Sequence, residues 1–130
     1  MSENRSVVVT GGTRGIGQGL VREFIKAGCR VTFTGSSEAS TAKGLEALGG
    51  ASANLTAVAC DITDREQVQK TWDHAVATFG RVDIWINNAG ISLPRKAFQD
   101  HTVSDLQDIV DTNIVGIFNG DAVAMKGMLA

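Results

Sequence analysis

The sequence predicts an α/β fold built on a doubly wound parallel sheet, and three observations carry that prediction. Short apolar runs alternate four times with stretches of helical periodicity, the first run is β-branched on both of its faces, and a glycine-rich turn joins that run to the first helix. Runs apolar on both faces suit strands covered from both sides, and strands alternating with helices build a parallel sheet through right-handed crossovers.

The first strand is read at Ser6 to Thr10, and the helix after it, Gly15 to Ala27, places Ile16, Leu20, Val21, Phe24 and Ile25 on one face. Gly28 stands where a left-handed C-terminal cap is wanted. The second strand is Arg30 to Thr34, followed by a weaker helix from Thr41 to Leu48 that ends in the Gly49-Gly50 turn signal. Leu55 to Cys60 forms the third strand. Thr63-Asp64-Arg65-Glu66 then has the spacing of a capping box, and Val68, Trp72, Ala75, Val76 and Phe79 form the stripe of the next helix, closed by Gly80. The fourth strand is Val82 to Ile86. The irregular stretch Ile91 to His101, with the single proline Pro94, is the longest loop and the expected substrate entrance.

The last helix opens at Thr102 with Asp105 in the N3 position and buries a stripe of Leu106, Ile109, Val110, Ile114 and Ile117. Asn113 lies inside that stripe, where an amide must find partners, either as a core asparagine bonded to a backbone carbonyl or as a working group. From Gly116 to Ala130 the segment is apolar almost all round, so it is expected to pack against another helix or chain. Gly116, Gly120 and Gly127 each cost a helix about 1 kcal/mol and allow close approach of a partner.

At 130 residues, 1–130 is read as one domain, 43% hydrophobic and 20% charged, and a net charge of -2 gives no bias toward nucleic acid or an anionic membrane. No apolar run approaches the ~20 residues of a membrane span, and the lead segment Met1 to Arg5 is short and polar, so a cytoplasmic protein is expected. Cys29 and Cys60, with no CxxC spacing and no histidine nearby, are read as reduced structural thiols. The separated His74 and His101 give no support to a metal site and are expected at the surface.

Thr10-Gly11-Gly12-Thr13-Arg14-Gly15-Ile16-Gly17 lies between a buried strand and an amphipathic helix. There, glycines let the backbone approach a pyrophosphate and the helix N-terminus offers unpaired N–H groups and partial positive charge. The Gly-Lys-Ser/Thr ending of a P-loop is absent. Asp61-Ile62 stands after the third strand, where Asp61 can cap the following turn or accept from an adenine amino group. Asn87-Asn88-Ala89-Gly90 stands after the fourth, where two amides at the end of an apolar strand need buried partners.

The TGxxxGxG turn, the Asp-Ile pair and the NNAG segment together resemble the short-chain dehydrogenase/reductase family, in register along essentially the whole chain and most similar to its 3-oxoacyl carrier-protein reductase type. The resemblance implies a Rossmann-type sheet truncated after the fourth strand-helix unit, and an NADP cofactor, with NAD as the alternative. It implies cofactor contacts from Gly11, Thr13, Arg14, Gly15, Ile16, Gly17, Ser36, Asp61, Ile62, Asn88, Ala89 and Gly90, and matches Asn113 to the asparagine of the family's proton relay. Gly35 stands where NAD-preferring relatives look acidic, and Arg14 is similar to the basic residue used against the 2'-phosphate of NADP. The implied reaction is hydride transfer between a small-molecule carbonyl and alcohol, with homo-oligomers formed through the last helix. The family's serine and YxxxK residues follow a fifth strand; this sequence contains no tyrosine. It therefore reads as the N-terminal half of such an enzyme, inactive alone, with a non-catalytic nucleotide-binding or interaction module as the alternative.

Overall fold

A computed structural model describes residues 4–130, so the first three residues of the polar lead Met1 to Arg5 lie outside the described residues. Strands β1 (Ser6–Val9), β2 (Arg30–Gly35), β3 (Leu55–Ala59) and β4 (Ile84–Ile86) form one parallel sheet in the order β3-β2-β1-β4. Helices α1 (Gly15–Lys26), α2 (Glu38–Ala47) and α3 (Arg65–Phe79) supply the crossovers, and α4 (Val103–Val110) and α5 (Gly116–Leu129) follow β4.

Two apolar layers sandwich the sheet, as the strand pattern requires. Val7, Val9, Val31 and Phe33 pack with Val21 of α1 and Leu55, and Leu45 and Leu48 from the α2 region close that side. On the opposite face Val8 meets Ala75 of α3, Val82 and Trp85. Val7, Val8 and Val9 are all fully buried, at about 1.5–3 kcal/mol each as an upper bound. Because both faces of β1 are covered, its C-terminal end is a fixed platform for the glycine turn.

Several local expectations change. Ile16 is 80% exposed: it shares the helical face of Leu20, Val21, Phe24 and Ile25, but in the first turn of α1 it lines the cleft while they pack in the core. Helix α2 begins at Glu38 because Ser37 caps it, its Oγ accepting from Ser40 N at 3.1 Å while Ser40 Oγ accepts from Ser37 N at 3.2 Å. The box expected at Thr63 does not form. Thr63 is taken by Asp61, whose Oδ1 accepts from its N and Oγ1, and Asp64 caps α3 by accepting from Glu66 N. Gly28 and Gly80 do hold left-handed φ values, 83° and 85°. Neither histidine is fully exposed: His74 Nε2 lies 2.9 Å from Thr56 Oγ1, and His101 sits beside Asp105.

The last helix is not continuous. A π-helical turn, Asp111–Val115, separates α4 from α5 and shifts the phase of everything after it. The expected stripe is not buried: Leu106, ahead of that turn, is 57% exposed, Ile114, within it, is 62% exposed, and α4 buries no residue. Helix α5 lies on α3 and the end of β4, with Val123 packing against Cys60, Ile62 and Val68. Its glycines permit this approach within the chain: a Cβ at Gly127 would enter the Trp72 ring, and one at Gly120 would land on the Asn87 amide oxygen. Among the described residues β4 pairs only with β1, and no helix is long and apolar enough to cross a membrane.

Candidate functional site

All four strands point their C-terminal ends at one cleft of about 580 Å³, the position at which open α/β sheets place ligands. The turn after β1 forms its floor. Gly12 N donates to Thr34 O at 2.9 Å, and Gly11 N donates to Thr34 Oγ1 at 3.1 Å. Asn88 Nδ2 donates to Thr10 O at 3.1 Å and to Gly11 O at 3.0 Å, while Thr10 Oγ1 accepts from Asn88 N and Ala89 N. Gln18 Nε2 takes the Thr13 carbonyl at 3.0 Å. With its carbonyls at Thr10, Gly11 and Thr13 engaged on the protein side, the turn is locked to β2 and to the end of β4.

Glycines are needed here for two different reasons. A Cβ at Gly17 would land on the Gly11 carbonyl and the Asn88 amide, so helix and turn can touch only without a side chain. Gly15 has φ +58°, and a Cβ there would meet nothing within 4 Å. It faces open cleft. The first turn of α1 carries no acidic residue, so the positive end of the helix is not neutralised, and Arg14 stands exposed at its N-cap. These features suit a pyrophosphate, by the chemistry of the donors and by the space left open beside them.

Gly11, Thr13, Arg14, Gly15, Ile16 and Gly17 line the cleft from the first turn, Ser36 from the end of β2, and Asp61 and Ile62 from the end of β3. Asn88, Ala89 and Gly90 line it from the end of β4. Asp61 also performs the turn role, with Oδ1 held by Thr63 and its own N donating to Gln67 Oε1 at 2.8 Å. Asn87 points away: its Oδ1 accepts from Trp85 Nε1 and its Nδ2 donates to Asp121 on α5.

Asn113 is not part of the cleft lining; its neighbour Thr112 is. Its amide grips the backbone of Ile91 in both directions, donating to Ile91 O at 2.8 Å and accepting from Ile91 N at 2.9 Å. That matches the plainer alternative, an asparagine bonded to backbone, with the addition that it anchors the loop after β4. Thr34, Gly35, Cys60, Ile91 and Thr112 also line the cleft. Thr34 was detectable in principle, since a hydroxyl inside an apolar strand needs a partner and the adjoining turn has N–H groups to offer. Cys60 is a buried, free thiol whose pKa is raised by burial, with Thr71 opposing, which keeps it protonated and unreactive. Cys29 is likewise buried and outside any disulfide. Among the described residues no three His, Cys, Asp or Glu side chains come together as a metal site.

Comparison with known proteins agrees with this geometry. Residues 5–130 match the short chain dehydrogenase family. The chain is 36% identical over 130 residues to 3alpha-hydroxysteroid dehydrogenase of Mediterraneibacter gnavus, covering 98% of this chain and 52% of that protein. It is 33% identical over 128 residues to a mitochondrial borneol dehydrogenase of Lavandula x intermedia, covering 98% and 48%. The crystal structure of 3-ketoacyl-(acyl-carrier-protein) reductase from Brucella melitensis complexed with NADH superposes with a TM-score of 0.88 at 25% identity, covering 98% of this chain and 51% of that one. The chain thus spans about half the length of these relatives.

Proposed function

The chain belongs to the short-chain dehydrogenase family, and from that premise we propose that it is the dinucleotide-holding part of an NADP(H)-dependent oxidoreductase that moves hydride between a small-molecule carbonyl and an alcohol. One observation carries the reading: the twelve residues expected to touch the cofactor, from four separate strand ends, line a single cleft. The nicotinamide, when bound, supplies or accepts the hydride.

The chain's own residues bind and orient. The turn from Gly11 to Gly17 and the N-terminus of α1 hold the pyrophosphate, and Arg14 with Ser36 takes the 2'-phosphate. Asp61 and Ile62 bracket the adenine, and Asn88-Ala89-Gly90 backs the nicotinamide side. Asn113 keeps one N–H and one oxygen lone pair beyond its bonds to Ile91, enough to hold a relay water. Protonating a developing alkoxide requires a general acid, and no tyrosine exists in these 130 residues, so they alone turn over negligibly. A cytoplasmic location, and self-association through the exposed face of α5 with Phe118, Met125 and Leu129, belong to the same reading.

Titration calorimetry with NADPH and NADH tests it. Arg14→Ala should cost NADPH about 1.5–3 kcal/mol, the value of a hydrogen bond to a charged group, and leave NADH nearly unchanged. Equal losses for both cofactors would remove Arg14 from the 2'-phosphate, and no binding of either would end the dinucleotide reading.

A further inference from the structure

The segment 91–101 leaves the cleft at Ile91, its one residue in the lining, and is exposed from Ile91 to Asp100, yet it is tied down at two places, both on the helical stretch that follows it. Its first residue is gripped by Asn113, as above. The second tie is Asp105. Its Oδ2 lies 2.8 Å from Lys96 Nζ and accepts from Thr102 N at 2.9 Å, while Thr102 Oγ1 accepts from Asp105 N at 3.1 Å. His101 completes the cluster, its Nδ1 buried without a hydrogen-bond partner and 3.6 Å from the same oxygen, with the Phe98 ring edge-on to the imidazole at 6.4 Å. These groups are shielded: side-chain exposure is 34% for Lys96, 18% for Asp105 and 14% for His101.

Helix capping requires only the Thr102 contacts. The lysine comes from within the loop, and the same oxygen serves both. We propose that Asp105 is a positioning residue for the substrate side of the cleft: by holding Lys96 against the first turn of α4 while Asn113 holds Ile91, it fixes both ends of the span 91–96 that leads out of the cleft. Residues 92–95 form the span between the two ties. Hydrogen bonds from Lys96 and from Thr102 N hold the Asp105 carboxyl down at about 2, so the tie is a charged one at every physiological pH. The assignment to the substrate side rests on the dinucleotide reading; the tie itself does not.

Trypsin reports on the tie directly, because Arg95 lies in the span between the two anchors. In the 130-residue chain, Asp105→Asn and Lys96→Met should each raise the rate of cleavage after Arg95 by roughly twofold to fivefold, the scale of a lost surface ion pair. The double variant should be no faster than either single one, and Asp105→Glu should return to the parent rate. Thr102→Ala, which weakens only the cap, should change cleavage after Arg95 by less than about twofold. An unchanged rate in Lys96→Met, a surface substitution that leaves the cap intact, overturns the proposal. So do additive effects in the double variant, or a Thr102→Ala effect as large as that of Asp105→Asn. NADPH titration of the same samples separates the two readings: a chain that does not bind NADPH but shows the cleavage pattern keeps the tie and loses the dinucleotide assignment.

Discussion

Asn88 is the residue through which the end of β4 controls the glycine turn, and replacing it gives a test with a sign as well as a size. Its Nδ2 donates to Thr10 O and Gly11 O at 3.1 and 3.0 Å, in a partly buried setting. Asn88→Ala removes both bonds and strands two carbonyls. At about 1–2 kcal/mol for each, between the net worth of a hydrogen bond and the cost of a buried unsatisfied acceptor, the loss is roughly 2–4 kcal/mol. For a chain of this size that is a fall in Tm of about 6–16 °C. Asn88→Asp keeps the shape and removes the donors, so an acceptor-only carboxylate faces two carbonyl oxygens. It should be less stable than the alanine variant at pH 7, although it is the more conservative change in volume. Differential scanning calorimetry on the three proteins gives the order. If the aspartate variant melts at or above the alanine variant, the Asn88 amide is not acting as a double donor to the turn, and the account of what fixes the cleft floor fails.

Other expectations follow from the same geometry. Gly15→Val should abolish dinucleotide binding through a side chain in open cleft and strain at φ +58°, whereas Asn113→Ala should leave binding intact, a contrast read by calorimetry. Gly17→Ala should lower Tm more than Gly15→Ala, since only at position 17 does a Cβ meet the turn's own backbone. Asp105 has a pKa lowered to about 2, so its contribution is fully present above the ordinary carboxylate range near ~4 and is lost as pH falls through about 2. A carboxyl carbon shift that titrates near ~4 in the folded chain would contradict the Lys96 tie.

What the sequence shows and what it conceals differ by physical cause. Val7, Val8 and Val9 declare a doubly covered strand because burial on both faces favours apolar side chains at successive positions, and the same logic locates the glycine turn at the strand's end. Helix α2 is harder to place: its first turn, Glu38-Ala39-Ser40, has no apolar period, and its start is fixed by the Ser37–Ser40 box alone. Ile16 obeys the helical period yet faces the cleft, because periodicity identifies a face and not what covers it. Leu106 and Ile114 repeat that lesson on a helix whose apolar side nothing in the described residues covers. The π-turn at Asp111–Val115 leaves no mark in hydropathy, so a sequence reading puts Asn113 in a core stripe when it in fact projects to Ile91.

Position 35 joins the packing to the choice of cofactor. As sequence, Gly35 says only that an acid is missing from the end of β2. In the fold, a Cβ there would land on Thr41 Oγ1 and come within 2.8 Å of Thr13 Cγ2 and 2.9 Å of Thr41 Cα. Thr41 is itself held by a 2.6 Å bond from its Oγ1 to Ser37 O, at the capped start of α2. A Cβ at Gly44 would in turn come within 2.8 Å of Thr13 Cα, so the turn and α2 are already in contact on that side as well. An aspartate at position 35 would therefore have to push α2 off the turn before its carboxylate could reach a ribose. Packing therefore opposes a side chain at position 35 whichever dinucleotide is bound, so the missing acid has a structural cause of its own. It also sets the outcome of the obvious engineering step. Gly35→Asp should weaken NADPH without strengthening NADH, and should lower Tm, because the substitution is charged first for displacing α2. A Gly35→Asp chain that bound NADH more tightly at unchanged Tm would show that α2 yields freely, and that the glycine is not required by packing.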